Sequence, residues 1–187
     1  MNPAAPITPH PLSKSELPAL TNQALEADLI QISTTLLARG WMLATAESCT
    51  GGMIAAACTD LAGSSQWFER GFVTYSNEAK AEMLAVPPGL IEEHGAVSES
   101  VARAMADGAL AHSRAQVSLA VTGIAGPTGG TEAKPVGTVW FGWNVNGNLT
   151  TATRRFDGDR AAVRLQTLAW ACARLQALLQ TPPHAPR

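Results

Sequence analysis

Residues 42–52 read MLATAESCTGG, a short apolar run that passes directly into a serine, a cysteine, a threonine and two glycines. Small apolar residues follow at 53–58. This pattern predicts a buried strand, a tight turn and a packed helix, with Ser48 at the start of the helix. Free backbone N–H groups and the positive end of the helix dipole lie at such a position. They suit either an anion such as phosphate or a nucleophile beside an oxyanion site.

The same turn has a purely structural interpretation. Ser48 or Thr50 would then only cap the helix by accepting a hydrogen bond from a backbone N–H. Cys49 is a rival nucleophile, but no histidine lies near it in the sequence, and a small buried thiol is the commoner role for cysteine. The turn alone leaves these alternatives open.

Alternation of helices and strands in the first part of the chain, followed by a strand hairpin, predicts the fold class. The hairpin is indicated by Asn146-Gly147, a strong turn signal between two strands. The predicted order after the first strand is helix 53–58, strand 72–75, helix 77–84, helix 98–112, strand 117–121, strand 136–145, strand 149–156 and a last helix from about residue 159. We expect an α/β fold, a three-layer sandwich with a mixed central sheet and helices on both faces. Ligands in such sheets bind at the carboxyl ends of the strands.

Composition excludes several classes of protein. The 187 residues are 46% apolar and 15% charged, with a formal net charge of -2, so the chain has no field to hold nucleic acid. Three cysteines without a CxxC pair predict neither a disulfide framework nor a zinc site. No apolar run reaches the roughly 18 residues of a membrane span, and no signal peptide is present, which predicts no membrane association and a cytoplasmic location.

The low charged fraction favours a homo-oligomer, with a dimer as the first expectation.

Proline-rich ends bound the predicted domain. Residues 1–20 contain five prolines and form the predicted flexible extension, and residues 181–187 form a flexible tail. One folded domain is expected over residues 21–180.

A serine nucleophile needs a base, and the usual histidine is not available in a suitable place. The four histidines fall in the predicted tails, in a polar turn or near a helix end. A lysine can replace histidine when burial lowers its pKa, and Lys80 follows the single tyrosine, Tyr75, by five residues. The alternative is that Lys80 is solvated and that Tyr75 packs with its hydroxyl at the surface.

Two further segments suit a phosphate-bearing ligand. A glycine-rich loop over residues 122–130 follows a strand, and Thr122, Gly123 and Gly126 would allow a close approach of the backbone to a ligand. It matches neither a Walker A loop nor a Rossmann fingerprint, and a plain connecting loop would also be rich in glycine. Arg160 and Arg164 lie one turn apart and suit phosphate or carboxylate, although such pairs are commoner on solvated helix faces.

Taken together, five ordered segments match one known family. They are residues 46–52 (AESCTGG), 71–80 (GFVTYSNEAK), 95–98 (GAVS), 122–127 (TGIAGP) and 134–139 (KPVGTV). Over about residues 24–178 the chain resembles the CinA C-terminal-domain family, whose enzymes are nicotinamide-nucleotide amidohydrolases. The resemblance implies deamidation of nicotinamide mononucleotide (NMN) to nicotinic acid mononucleotide and ammonia, a step of pyridine nucleotide salvage that needs no metal or organic cofactor. Some members carry a large extra domain with a pyrophosphatase activity, which we expect to be absent here.

The resemblance also implies roles for individual residues. Ser48 would attack the carboxamide carbon, and Lys80 would take its proton directly or through the Tyr75 hydroxyl. Backbone N–H groups from Cys49 to Gly51 would hold the oxyanion. The remaining implied substrate contacts are Thr50, Gly52, Thr122, Gly123, Gly126, and Arg160 or Arg164 at the phosphate.

Two other classes of function stay open at this point. One is a non-catalytic nucleotide-binding or regulatory module, in which the glycine turns bind phosphate and Ser48 is a cap. The other is a structural or partner-binding protein, which predicts that Ser48, Tyr75 and Lys80 do not converge in space.

Overall fold

The computed structural model describes residues 16–181, which form one mixed five-stranded sheet covered by helices. The strands are β1 (Leu43–Glu47), β2 (Phe68–Val73), β3 (Val117–Gly123), β4 (Thr138–Val145) and β5 (Asn148–Arg155). Their order in the sheet is β2-β1-β3-β4-β5. β1 is parallel to both β2 and β3, whereas β4 is antiparallel to β3 and to β5. The carboxyl ends of β1, β2 and β3 therefore meet at one edge of the sheet.

Helices cover both faces of this sheet. They are α1 (Glu16–Arg39), α2 (Met53–Thr59), α3 (Asn77–Leu84), α4 (Pro88–His94), α5 (Glu99–Ala111) and α6 (Arg160–Gln180). One apolar cluster joins α1, α2 and α6 to one face, and a second joins α3, α4 and α5 to the other. Side chains alternate between the two clusters along β1, where Leu43 belongs to the first and Ala44 to the second. The predicted three-layer α/β sandwich with a mixed sheet is confirmed.

Three boundaries differ from the sequence prediction. β2 begins at Phe68, four residues before the predicted strand, and ends at Val73, so Tyr75 lies in the loop that follows. Pro88, expected only to stop α3, is the first residue of α4, a position that proline favours because its missing N–H is not needed there. α1 begins at Glu16, ahead of the predicted domain start at residue 21. Residues 1–15 and 182–187 lie outside the described part of the chain.

Side-chain caps set the starts of the helices that border the β1 edge. Ser76 Oγ accepts a hydrogen bond from the Ala79 N–H at 3.0 Å and begins α3, which places Lys80 in its first turn. The Asp159 carboxylate accepts from the Ala162 N–H at 2.8 Å and begins α6, one residue before Arg160. Within residues 16–181, no helix combines the length and the apolar character that crossing a membrane requires.

Candidate active site

Ser48 lies immediately after β1, at the edge where the three parallel strands end. Its N–H donates to the carbonyl of Val121 in β3 at 3.0 Å, so the pairing of the sheet continues through the serine and fixes its backbone. The chain then turns sharply at Gly51 and Gly52, with φ values of +62° and +97° that L side chains rarely adopt. The turn explains why two glycines separate Ser48 from α2.

Lys80 reaches Ser48 from α3. Its Nζ lies 3.2 Å from Ser48 Oγ, 2.8 Å from the Thr74 carbonyl and 3.5 Å from the Ser76 carbonyl. The lysine is only 1% exposed. A neutral amine has two N–H donors and one lone pair, so the two carbonyls can accept the donors while the lone pair faces the serine hydroxyl. The interpretation of Lys80 as a solvated side chain is therefore wrong.

Burial sets the protonation of this lysine. Removal from water lowers the pKa of Lys80 from its ordinary value, because the charged ammonium loses more solvation than the neutral amine. In residues 22–181, whose side chains the structure describes, no carboxylate forms an ion pair with Lys80 to oppose this effect. The geometry and the lowered pKa together suit Lys80 to accept a proton from Ser48.

The thiol of Cys49, next to Ser48, is held in its unreactive protonated form. Burial raises the pKa of the Cys49 thiol to about 11, which keeps it protonated near neutral pH. Because the thiolate is the nucleophilic form of cysteine, Cys49 is a poor rival to Ser48. Two arginines, Arg164 and Arg160, lie close enough to lower this pKa slightly, which brings positive charge to the same edge.

The backbone donors of the Ser48 turn are only partly available. The Gly51 N–H donates to the Ser48 carbonyl at 3.1 Å, and the Gly52 N–H donates to the Glu47 carboxylate at 3.0 Å. Gly51 and Gly52 therefore cannot offer the N–H groups expected of them for an oxyanion or a substrate. Among the described residues, no oxygen accepts a hydrogen bond from the N–H groups of Cys49 and Thr50, so these two remain as oxyanion donors.

Glu47, to which the sequence reasoning gave no role, is the last residue of β1 and is 1% exposed. Its Oε2 accepts hydrogen bonds from Thr50 Oγ1 at 2.7 Å, Gly52 N at 3.0 Å and Ile54 N at 3.1 Å. Its Oε1 accepts one from Ala55 N at 2.8 Å. A signal for it exists in the sequence, because an acidic residue that ends an otherwise buried strand just before a helix start is placed to bind that helix's free N–H groups.

Tyr75 is not hydrogen-bonded to the serine–lysine pair. It is 61% exposed, and its hydroxyl accepts a hydrogen bond from Arg160 Nη2 at 2.8 Å. Among the described residues, no hydrogen bond joins Tyr75 to Ser48 or Lys80. The site thus brings Ser48 and Lys80 together and leaves Tyr75 at its rim.

Two of the arginines of α6, Arg160 and Arg164, reach the site. Arg160 Nη1 donates to the Gly126 carbonyl at 3.0 Å, so one guanidinium joins the glycine loop to Tyr75. Arg164 Nη2 donates to the Thr50 carbonyl at 2.7 Å, and its buried Nε has no acceptor among the described residues. The interpretation of the pair as an ordinary solvated helix face is therefore wrong.

The glycine loop is shaped mainly by packing. The Thr122 hydroxyl is buried and donates to the Ala96 carbonyl at 2.8 Å, so it is not free to bind a substrate. A Cβ at Gly123 would lie 2.7 Å from Val139 Cγ2, and one at Gly126 would lie 2.5 Å from Val136 Cγ1. These close contacts explain the two glycines without a ligand, and only the backbone near Gly126 borders the arginines. No cluster of three or more potential metal-ligating side chains occurs in residues 16–181.

Known proteins resemble this chain over most of its length. Residues 26–179 match the model of the CinA C-terminal domain. The chain therefore belongs to the CinA C-terminal domain family, as its motifs indicated. It is 55% identical over 151 residues to the nicotinamide-nucleotide amidohydrolase PncC of Escherichia coli (strain K12), covering 80% of this chain and 90% of the relative. It is 54% identical over 136 residues to the protein of the same name from Pseudomonas putida, covering 73% of this chain and 83% of the relative.

Solved structures share the fold. The competence/damage inducible protein CihA from Agrobacterium tumefaciens is 47% identical, with a TM-score of 0.81, over 84% of this chain and 96% of that one. The described helices and strands therefore have close counterparts in a crystal structure of the same superfamily.

Proposed function

We propose that this chain is a nicotinamide-nucleotide amidohydrolase that converts NMN and water into nicotinic acid mononucleotide and ammonia, with Ser48 as nucleophile and Lys80 as base. The observation that carries the proposal is the buried contact of 3.2 Å between Ser48 Oγ and Lys80 Nζ. It is supported by relatives of 54–55% identity that bear the name of this activity. The reaction would serve pyridine nucleotide salvage.

Acylation begins when Ser48 Oγ attacks the carboxamide carbon of NMN. Lys80 Nζ takes the hydroxyl proton, and the carbonyl oxygen becomes an oxyanion that accepts hydrogen bonds from the Cys49 and Thr50 N–H groups. The C–N bond then breaks, and the leaving nitrogen takes the proton from Lys80 and departs as ammonia. Ser48 is left as an ester of the nicotinic acid nucleotide.

Deacylation uses the same groups in the same order. Water enters where ammonia left, gives a proton to Lys80 and attacks the ester carbonyl. The second tetrahedral intermediate collapses, Ser48 recovers its proton from Lys80, and nicotinic acid mononucleotide is released. The direct distance of 3.2 Å favours transfer between Ser48 and Lys80 without the Tyr75 hydroxyl as a relay.

The phosphate of NMN needs a cationic partner, and Arg160 and Arg164 of α6 are the candidates at this edge. Arg160 is exposed and its guanidinium lies between Tyr75 and Gly126. Arg164 is half-buried and already holds the Thr50 carbonyl. We therefore assign the phosphate to Arg160 and a supporting position in the turn to Arg164.

Removing Arg160 is expected to weaken substrate binding more than chemistry. For Arg160→Ala we expect KM for NMN to rise roughly 10- to 100-fold, the worth of a hydrogen bond to a charged group, with a much smaller change in kcat. Steady-state kinetics measures both. The matched control is Arg103→Ala, an exposed arginine on α5 outside the site, which should behave as the wild type.

A second substrate distinguishes a loss of phosphate binding from a general loss of activity in the variant. With nicotinamide riboside, which lacks the phosphate, Arg160→Ala and the wild type should have similar kcat/KM. An equal loss on both substrates would contradict the assignment of the phosphate to Arg160.

The lowered pKa of Lys80 predicts a pH profile. Because the neutral amine is the active form, kcat/KM should rise with pH along a limb centred below pH 10.5, the ordinary lysine value. Measurements should begin above pH 7, where the substrate phosphate, with a second pKa of about 6, no longer titrates. A rising limb centred at or above the ordinary value, or a rate that falls with pH through this range, would contradict the role of Lys80.

The proposed activity is tested by mixing purified protein with NMN and measuring ammonia and nicotinic acid mononucleotide together. Equal amounts of the two products are expected. Thermal stabilisation by NMN without ammonia release would instead support a nucleotide-binding module, and neither effect would mean that NMN is not the ligand.

A further inference from the structure

We propose that Glu47 is a positioning residue for the amide hydrolysis: its carboxylate holds the Ser48 turn against the first turn of α2 and so directs the Cys49 and Thr50 N–H groups at the substrate. This inference rests on the proposed function. The hydrogen bonds of the Glu47 carboxylate all go to protein groups of the turn and of α2. Glu47 therefore affects the substrate through the position of the backbone and not by contact.

The Glu47 carboxylate is buried without a positively charged partner among the described residues. Glu47 is 1% exposed, and no arginine, lysine or histidine in residues 16–181 forms an ion pair with it. Four donors satisfy it instead, one hydroxyl and three backbone N–H groups. Burying a charged group without a countercharge lowers the free energy of unfolding, and an apolar side chain at this strand position would avoid that loss. The carboxylate therefore serves the turn that it binds.

Thr50 shows how the turn is fixed. Its hydroxyl donates to Glu47 Oε2 at 2.7 Å, while its carbonyl accepts from Arg164 Nη2 at 2.7 Å. These two hydrogen bonds restrain the rotation of its peptide groups. Since the Gly51 and Gly52 N–H groups have partners within the turn, the free donors that remain are those of Cys49 and Thr50. Preorganised donors of this kind contribute most to stabilising an oxyanion.

The same carboxylate also determines where the substrate phosphate does not bind. A helix N-terminus normally attracts anions, but here Glu47 occupies the N–H groups of Ile54 and Ala55 at the start of α2. These N–H groups are therefore not free to bind a second anion. The phosphate is thereby directed to the Arg160 side of the site, and the carboxamide to Ser48.

Glu47→Gln tests the proposal, because glutamine keeps the size of the side chain but places an amide N–H2 where one carboxylate oxygen accepts hydrogen bonds. We expect kcat for NMN to fall about 100-fold, as for a small misplacement of reacting groups, with KM within about threefold of the wild type. Ser118→Ala is the control: it removes a buried hydrogen bond of 2.7 Å to the Ala106 carbonyl, away from the turn. This control should lower thermal stability but not kcat.

The outcomes separate this inference from the proposed function. Absence of ammonia release by the wild type would overturn the function itself. A wild type that is active beside a Glu47→Gln variant with unchanged kcat, or with only KM raised, would overturn the role of Glu47 alone. If Glu47→Gln does not fold, Thr50→Val removes the hydroxyl donor with little change in shape, and kcat should fall roughly 10-fold, the equivalent of about one hydrogen bond. An unchanged kcat in Thr50→Val would also overturn the proposal.

Discussion

Ser48→Ala is expected to lower kcat for NMN roughly 10⁴- to 10⁶-fold, the range found when a serine hydrolase loses members of its catalytic group. The variant loses the hydroxyl that Lys80 Nζ contacts at 3.2 Å. Cys49 cannot replace it, because burial raises the pKa of its thiol to about 11 and keeps it protonated at neutral pH. The measurement is ammonia release under saturating NMN. Binding of NMN, followed by calorimetry, should be retained because the hydroxyl is small and the turn is held by Glu47.

Ser33→Ala provides the matched control for that experiment. Ser33 is a serine on α1 whose hydroxyl bonds only to the Ile30 carbonyl, outside the site. It should leave both ammonia release and thermal stability unchanged. Ammonia release by Ser48→Ala at the order of the wild-type rate would exclude Ser48 as the nucleophile.

Lys80→Met is expected to lower kcat roughly 10²- to 10⁴-fold, the usual contribution of a general base. Methionine has nearly the length of lysine and fills the same buried space, so the fold should persist even though the Thr74 carbonyl loses its donor. Thermal unfolding measured beside kcat separates a catalytic loss from unfolding.

Lys80→Arg asks whether Lys80 acts as a base or as a positive charge. A guanidinium keeps the charge but cannot give up its proton at accessible pH. We expect this variant to be as slow as Lys80→Met. Near-normal kcat in Lys80→Arg would mean that the site needs a cation at this position, and the assignment of Lys80 as base would be wrong.

The sequence predicted the backbone of the site well because its signals are local. An apolar run followed by Gly51 and Gly52 defines a strand, a turn and a helix start over a few residues, and Ser76 and Asp159 are strong helix caps. The mixed three-layer α/β sandwich followed from helix–strand alternation and one Asn-Gly turn, whereas the order of the strands in the sheet was not predicted. In contrast, α4 was not predicted, because a proline such as Pro88 can either end a helix or begin one.

The interactions within the site could not be derived from spacing. Ser48 and Lys80 are 32 residues apart, and only the parallel pairing of β1 and β2 brings α3 over the serine. The residue types and their local settings made Ser48 and Lys80 candidates, and the resemblance to a family favoured them over the structural alternatives, whereas their contact is a property of the fold. Tyr75 was expected beside them because β2 was predicted to extend to it, but the strand ends at Val73 and the side chain turns toward Arg160.

A crystal structure of Ser48→Ala with NMN bound would test the proposed chemistry most directly. We expect the carboxamide carbon to lie roughly 3–3.5 Å from the position of the missing Oγ, the distance of a reactive approach. Its oxygen should accept hydrogen bonds from the Cys49 and Thr50 N–H groups, and the phosphate should contact Arg160. NMN bound with its phosphate at the Ser48 turn and its carboxamide in solvent would contradict the amidohydrolase mechanism and favour a nucleotide-binding module.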